Sequence, residues 1–257
     1  MEQWARQIHI KTPAEIAIMR EAGRINAEVH ATVKALLQPG ISTAELNAAA
    51  ENVLRKYGCT SPFKGYGEPP FPTSITVSIN RELVHGIPRD DRKLKVGDIV
   101  SIDCGTILDG LVADSAFTAG VGEISSKAQD LLKVTEGALF AGIQKMRAGN
   151  RTGDVGAAIQ KHVEGNGFHV TREYTGHGVG RQMHEGPQVP NYGKPGSGTL
   201  LRQGMTIALE PMVLVGTRAT RVLPDRWTVV SADGSLTAHF EHTVAVTSGD
   251  PLILTVL

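Results

Sequence analysis

The segment Ser101-Ile-Asp-Cys-Gly-Thr-Ile-Leu-Asp-Gly-Leu-Val-Ala-Asp114 decides the fold and carries two carboxylates in an apolar setting. Its Asp109-Gly110 pair lies between two apolar runs, a pattern that predicts a two-residue turn between antiparallel strands. A turn centred there places Asp114 opposite Gly105, whereas a register shifted by one residue on each side places Asp103 opposite Asp114. In both registers the two carboxylates share a face of the hairpin. They would repel each other unless a divalent cation lies between them; unrelated acids on an exposed polar face are the alternative.

Two glutamates further along the chain have similar surroundings. Glu210 ends the apolar run 205–209, and Glu241 lies in the segment 238–246, whose later residues are typical of a strand. A lone Glu at a strand end is usually solvated. A carboxylate embedded in an apolar run predicts a partner, because an unpaired buried carboxylate is costly.

Histidines complete the set of chemically active residues. His177 lies in Gly176-His-Gly-Val-Gly180, where the glycines let the backbone approach a ligand; the segment matches neither a phosphate loop nor a dinucleotide fingerprint. His85 and His184 are further candidates, although a structural role is the simpler explanation for each histidine alone. Two Asp, two Glu and one His form an oxygen-rich set, which suits a pair of divalent ions better than structural zinc.

Helix signals recur along the chain. Thr12-Pro13 predicts a helix start, and the segments 42–45 and 126–129 predict capping boxes that begin at Ser42 and Ser126. Gly40, Thr43 and Gly58 recur 109 positions later as Gly149, Thr152 and Gly167, and Asp103 and Glu210 each end an apolar strand six residues after a glycine. The pattern predicts two related halves about a pseudo-twofold axis; the alternative is coincidence among helix caps. Because no linker separates the halves, we expect one domain over residues 1–257.

Composition limits the function classes. The 257 residues include 26 Lys+Arg and 26 Asp+Glu, so the net charge of zero argues against nucleic-acid binding by bulk positive charge. Two cysteines, Cys59 and Cys104, form no zinc-binding or disulfide pattern and indicate a reducing compartment. Residues 1–6 lack the apolar core of a signal peptide, and no run approaches 18 apolar residues, so we expect a cytoplasmic protein.

The chain resembles the type I methionine aminopeptidases, in their bacterial form, over essentially its full length. The resemblance rests on the segments 80–88, 101–103 with Asp109, Gly110 and Asp114, 176–181, 207–212 and 240–243. It implies the pita-bread α/β (α+β) fold: two pseudo-twofold halves, a central, mostly antiparallel curved sheet, and helices outside. It also implies removal of N-terminal methionine from peptides and nascent chains when the second residue is small. Cobalt, manganese, iron or zinc would serve as the pair of divalent ions.

Site residues follow from the same resemblance. The implied metal ligands are Asp103, Asp114, His177, Glu210 and Glu241. Glu210 would also accept and return the proton, His184 would polarise the scissile carbonyl, and His85 would act near the leaving nitrogen. The implied methionine pocket comprises Tyr66, Phe71, Thr76, Met183 and Trp227, and departs from common family choices at Thr76 and Met183. Asn80 and Thr237 match a monovalent-cation site.

The resemblance also sets expectations for partners and leaves two rival functions open. We expect a monomer with transient ribosome contact, no specific nucleic-acid partner and no membrane. One rival is a proline-specific peptidase of the same fold, although such enzymes usually carry a sizeable extra N-terminal domain. The other is a metal-free binding protein, which would lack ligands that this sequence retains.

Overall fold

The computed structural model describes residues 7–257, which form four helices and fourteen strands. The expectation drawn from residues 1–6 lies outside the described residues. The helices are α1 (Pro13–Ala35), α2 (Thr43–Lys56), α3 (Ser126–Ile143) and α4 (Thr152–Gly165). The strands are β1 (Ile75–Ile79), β2 (Glu82–Val84), β3 (Ile99–Leu108), β4 (Leu111–Gly120), β5 (His169–Val170), β6 (Thr175–Gly178), β7 (Glu185–Pro190), β8 (Thr206–Leu209), β9 (Met212–Leu214), β10 (Thr220–Val222), β11 (Val229–Ser231), β12 (Thr237–His239), β13 (Glu241–Ala245) and β14 (Leu252–Ile253). In the described chain, no helix combines the length and the apolar character needed to cross a bilayer.

Two helix starts agree with the sequence, and one differs by a residue. Thr12 caps α1 and Ser42 caps α2, each within a reciprocal capping box. The predicted capping box at Ser126 is wrong: Ser125 is the N-cap of α3, and its Oγ accepts the Ala128 amide at 3.2 Å. The third helical position is therefore Ala128, which has no side-chain acceptor to complete a capping box.

The main sheet is antiparallel throughout and supports the prediction of two related halves. Its strand order is β1-β3-β4-β13-β8-β6-β7, with β14 beside β13. About the seam between β4 and β13 the order is symmetric, since β3 corresponds to β8 and β1 to β6. Each half therefore supplies a matching set of strands to one continuous sheet.

Matching backbone contacts confirm the sequence repeat. The amide of Gly40 donates to Leu94 O at 2.8 Å, and the amide of Gly149 donates to Leu201 O at 3.1 Å. Both glycines have left-handed backbone, with φ of 93° and 95°. The two halves therefore share the same local structure at these glycines. Chance similarity among helix caps does not explain the sequence repeat.

The helices cover one face of the sheet and leave the other for the site. In the first half, Ile102 and Cys104 pack in a cluster with residues of α1 and α2. In the second half, Ile207 and Leu209 pack in a cluster with residues of α3 and α4. Because side chains alternate along a strand, Asp103 projects from the opposite face of the sheet.

Candidate metal centre and active-site cavity

The hairpin of β3 and β4 fixes the first two carboxylates. Asp109 and Gly110 have φ of 48° and 75°, as a two-residue type I′ turn requires. Gly105 lies opposite Asp114 and Asp103 lies opposite Ala116, so the first of the two predicted registers is correct. Asp103 is 8% exposed and Asp114 2% exposed, which excludes the alternative of an exposed polar face.

Strand β13 adds a third carboxylate to the same face. Glu241 pairs with Ala116 of β4, the residue that also lies opposite Asp103 on β3. Directly opposite residues share a face, as do residues two apart along one strand, so Asp114 lies on this face as well. The pairing of β13 with β4 therefore brings the acids of both halves together.

The second half places its other two candidates by the same rule. Ala208 of β8 lies opposite Thr243 of β13 and opposite His177 of β6. Glu210 follows Ala208 by two residues, just beyond the end of β8. Its Oε1 lies 3.5 Å from Nε2 of His177. The five predicted metal ligands thus converge on one side of the sheet.

Unpaired acceptor atoms characterise this cluster. Among the described residues, no hydrogen-bond partner reaches the buried atoms Oδ1 of Asp103, Oδ1 of Asp114 and Oε1 of Glu241. Asp114, His177 and Glu241 each offer one ligand atom, and these atoms lie within 4.8 Å of one another. Buried carboxylate oxygens without donors are the groups that a divalent cation would satisfy, so the residues fit a metal site.

The electrostatics of the cluster point the same way. Burial raises the pKa of Asp114 to about 7. Burial, with repulsion from Asp114 added, raises the pKa values of Asp103, Glu210 and Glu241 well above the usual carboxyl range. Four carboxyl groups therefore cannot all ionise at neutral pH without a compensating positive charge.

His177 is prepared for ligation by its neighbour in the chain. Its Nδ1 lies 2.9 Å from Gly178 O, and since a carbonyl only accepts, Nδ1 carries the proton. Burial lowers the pKa of His177 to about 3, with the charge of His184 as a smaller cause, so the ring is neutral. The Nε2 atom then presents a lone pair, as metal-ligating histidines do.

The other two predicted histidines border the same cavity. The ring centroids of His184 and His177 are 4.4 Å apart, and Nδ1 of His184 lies 2.8 Å from the Tyr66 hydroxyl. His85 has a left-handed backbone with φ of 60°, a strained conformation that is more common at functional sites. Burial lowers the pKa of His85 to about 4, with the charge of His184 adding to the effect.

One cavity has a volume of about 120 Å³. It is lined by every predicted metal ligand, by both predicted catalytic histidines and by all five predicted pocket residues. Thr76 reaches it because β1 pairs Thr76 with Asp103. Trp227 packs edge-on against Phe71 with ring centroids 5.3 Å apart, and its Nε1–H donates to Pro69 O at 3.0 Å. Phe63 also lines the cavity, and no sequence pattern pointed to it.

The predicted monovalent-cation residues lie close together. The Thr237 hydroxyl oxygen is 3.1 Å from Asn80 O and 2.9 Å from Glu82 O. Asn80 adopts a left-handed backbone with φ of 57°, which turns its carbonyl toward β12. Thr237 thus donates to both carbonyls through its hydroxyl, and its amide also donates to Asn80 O at 2.9 Å.

His239 is a second residue, besides Phe63, that sequence reasoning missed at this site. It is 1% exposed, and its Nε2 lies 3.5 Å from Oε2 of Glu210. The available signal was its spacing of two from Glu241 in an extended segment, which places both side chains on one face.

Comparisons with known proteins identify relatives of the chain. The sequence pattern of metallopeptidase family M24 matches residues 17–248. Methionine aminopeptidase 1 of Bacillus subtilis is 51% identical over 245 residues, which span 95% of this chain and 98% of the relative. A methionine aminopeptidase of Clostridium acetobutylicum is 49% identical over 248 residues, which span 96% of this chain and 98% of the relative.

Solved structures show the same fold. The crystal structure of methionine aminopeptidase from Thermotoga maritima superposes with a TM-score of 0.95 at 43% identity, covering 97% of this chain and 100% of that one. A prolidase from Pyrococcus furiosus superposes with a TM-score of 0.77 at 21% identity, covering 96% of this chain but 65% of that one. The prolidase likeness shows a shared fold alone.

Proposed function

The chain belongs to metallopeptidase family M24 and, within it, to the type I methionine aminopeptidases with the pita-bread fold; from this premise we propose that it releases the N-terminal methionine of peptides and nascent proteins whose second residue is small. It is a metallo-aminopeptidase, a hydrolase.

One observation carries the proposal. The unpaired carboxylate oxygens of Asp103, Asp114 and Glu241 belong to residues that line the same cavity as an apolar set of side chains. That set includes Phe71, Met183 and Trp227. A metal centre that adjoins an apolar slot is suited to hydrolysis next to an apolar side chain such as methionine.

We propose that Asp103, Asp114, His177, Glu210 and Glu241 hold two divalent ions. Hard or borderline ions such as Mn²⁺, Co²⁺, Fe²⁺ or Zn²⁺ suit four carboxylates and one imidazole. Bound there, such ions would supply Lewis-acid activation of water and of the scissile carbonyl.

The protein side chains move the protons and orient the substrate. Glu210, whose side chain reaches the cavity, would accept a proton from the attacking water at a carboxylate oxygen and donate it to the leaving amine. His184 would donate a hydrogen bond to the carbonyl oxygen, and its contact with Tyr66 fixes the plane of its ring. His85 would hydrogen-bond the leaving nitrogen.

The substrate's first side chain would occupy the apolar end of the cavity. The pocket residues there are Tyr66, Phe71, Thr76, Met183 and Trp227. Rings also crowd this cavity, since the centroids of Tyr66 and His184 are 5.4 Å apart and those of His85 and Trp227 are 6.0 Å apart. This crowding supports the proposed preference for a small second residue.

The wider setting of the enzyme is also a proposal. We propose that it acts in the cytoplasm as a monomer and one domain, in transient contact with ribosomes. Asn80 and Thr237 would take part in binding a monovalent cation through their closely placed oxygens.

A peptide assay tests the proposed activity. Purified enzyme supplied with Mn²⁺ or Co²⁺ should release methionine from Met-Ala-Ser and leave an Xaa-Pro dipeptide intact. Met-Leu-Ser serves as the control for the second residue and should be cleaved much more slowly. Cleavage of the Xaa-Pro dipeptide in preference to Met-Ala-Ser would instead establish the rival proline-specific activity.

A further inference from the structure

His239 is a buried histidine beside the candidate metal centre that has no role in the proposed mechanism. Its Nε2 lies 3.5 Å from Oε2 of Glu210 and 3.8 Å from Oε2 of Glu241. In the described part of the chain, no group makes a hydrogen bond with this atom. A polar atom that is buried and unpaired in a folded protein calls for a specific explanation.

The backbone of His239 is held firmly in place. Its N–H donates to the Thr118 hydroxyl oxygen at 2.9 Å, and the Thr118 O–H donates to His239 O at 2.8 Å. Ser101 Oγ lies 2.8 Å from Thr118 Oγ1 and donates to it, because the Thr118 proton is already used. On its other side His239 pairs with Met212 of β9. These backbone contacts hold the imidazole of His239 in a fixed position.

Glu210 lies between two imidazoles. Its Oε1 faces Nε2 of His177 at 3.5 Å, and its Oε2 faces Nε2 of His239 at the same distance. A small rotation of the carboxylate would bring Oε2 to hydrogen-bond distance from His239. The two imidazoles therefore flank this carboxylate, one facing each oxygen.

His239 stands outside the group of closely spaced ligand atoms. Among the described residues, the ligand atoms that lie within 4.8 Å of one another belong to Asp114, His177 and Glu241. The neighbour of His239 Nε2 is Oε2 of Glu210, at 3.5 Å. The arrangement instead resembles the outer partners that orient ligands in metal sites.

We propose that His239 is a positioning residue: its neutral ring carries the proton on Nε2 and donates it as a hydrogen bond to Oε2 of Glu210. This bond holds the carboxylate so that Oε1 stays directed into the cavity. The inference rests on the proposed function, which gives Glu210 the proton transfer. A carboxylate free to rotate would present that oxygen less often, so turnover would fall while substrate binding stayed nearly the same.

Two amide variants test the position of the donor. The amide nitrogen of glutamine can reach roughly the position of Nε2, whereas that of asparagine is too short. We expect His239→Gln to keep kcat within ~3-fold, and His239→Asn and His239→Leu to lower kcat by ~10-fold or more with little change in KM. His242→Gln is the matched control, because the His242 ring contacts Thr255 instead and should leave kcat unchanged.

Two further measurements do not depend on activity. Nitrogen-15 NMR of histidine-labelled, zinc-loaded protein should show His239 protonated on Nε2, the signal being assigned by its loss in His239→Gln. Metal content should match that of the wild type in all three variants. A proton on Nδ1, an unchanged kcat in His239→Asn, or a loss of metal would each overturn the proposal. Failure of the wild type to release methionine would contradict the proposed function, while the NMR result would still decide where the proton lies.

Discussion

Asp103 and Glu241 lie opposite the same residue, Ala116, on the two strands that flank β4. They come from different halves of the sequence repeat, yet the sheet places them side by side on one face. The candidate metal centre therefore depends on the seam where the halves meet.

Metal removal should abolish methionine release. The carboxylates of Asp103, Asp114 and Glu241 repel one another without a cation, and the activation of water requires one. Dialysis against a chelator should eliminate activity toward Met-Ala-Ser, and Mn²⁺ or Co²⁺ should restore it. Asp114→Asn is the companion variant and should bind less metal by elemental analysis. Full activity in protein shown to be metal-free would contradict the assignment.

Glu210→Gln should keep the shape of the side chain and remove the proton acceptor. We expect kcat to fall by at least ~10²-fold, the usual scale for loss of a general base. Steady-state kinetics and elemental analysis should be run together, so that a loss of turnover is separated from a loss of metal. Turnover close to the wild-type value with metal bound would assign the proton transfer to another group.

Gly67→Ala should disturb the methionine pocket through Trp227. An added Cβ at Gly67 would lie 2.5 Å from Cη2 of Trp227, so the indole must move. We expect kcat/KM for Met-Ala-Ser to fall by roughly tenfold or more, since small displacements in a binding site are costly. Gly65→Ala is the matched control: its backbone is also left-handed, with φ of 88°, but nothing lies within 4 Å of the added Cβ. Equal losses in the two variants would show that backbone strain, not the indole, is responsible.

His30 should make the protein less stable in acid. Its Nε2–H donates to Ser115 O at 2.8 Å, its Nδ1 is buried without a partner, and burial lowers its pKa to about 4. The unfolded chain titrates near pH 6.5, so it binds the proton first, and stability is lost as pH falls from about 6.5 to 4.

The size of this effect can be measured with His30→Gln, which keeps a donor for Ser115 O but does not titrate. Between pH 7 and pH 5 the unfolding free energy of the wild type should fall by about 2 kcal/mol more than that of the variant. Urea unfolding at both pH values gives the difference directly. Parallel losses in the two proteins would mean that His30 does not titrate in this range.

Ser125→Ala should weaken α3, whereas Ser126→Ala should not. Ser125 Oγ accepts the Ala128 amide, and loss of an N-cap acceptor typically costs ~1 kcal/mol. Ser126 is an exposed first-turn residue, for which a change below ~0.5 kcal/mol is expected. Thermal unfolding of both variants shows which serine caps the helix: Ser125, as in the structure, or Ser126, as the sequence pattern suggested.

Local signals in the sequence predicted much of the fold. The Asp109-Gly110 turn could be read directly, because a type I′ turn selects those residue types. The sequence left two registers for Asp103 and Asp114, since both place the acids on one face, and only the pairing of Leu108 with Leu111 in the folded hairpin decides between them. The predicted N-cap of α3 was wrong by one residue, because Ser125 and Ser126 are adjacent and either serine could cap the helix.

What local patterns could not supply was the contact between distant elements. His239 reaches Glu210 because β12 leaves the main sheet and pairs with β9, and no spacing in the sequence indicates that pairing. Phe63 joins the cavity from an irregular segment that has no periodicity to interpret. Family resemblance supplied the ligand set and the pocket, where the residues alone indicated only a metal site.

The pairing of β13 with β4 also affects when a newly made chain can bind metal. Asp103 and Asp114 leave the ribosome more than a hundred residues before Glu241, and the registered contacts across the seam join Glu241 to Ala116 and His242 to Ser115. Until that late strand docks, the earlier acids have no partner from the other half. We therefore expect the enzyme to stay inactive during its own synthesis until β13 has emerged, and a fragment that ends before β13 to be inactive even if its first half folds.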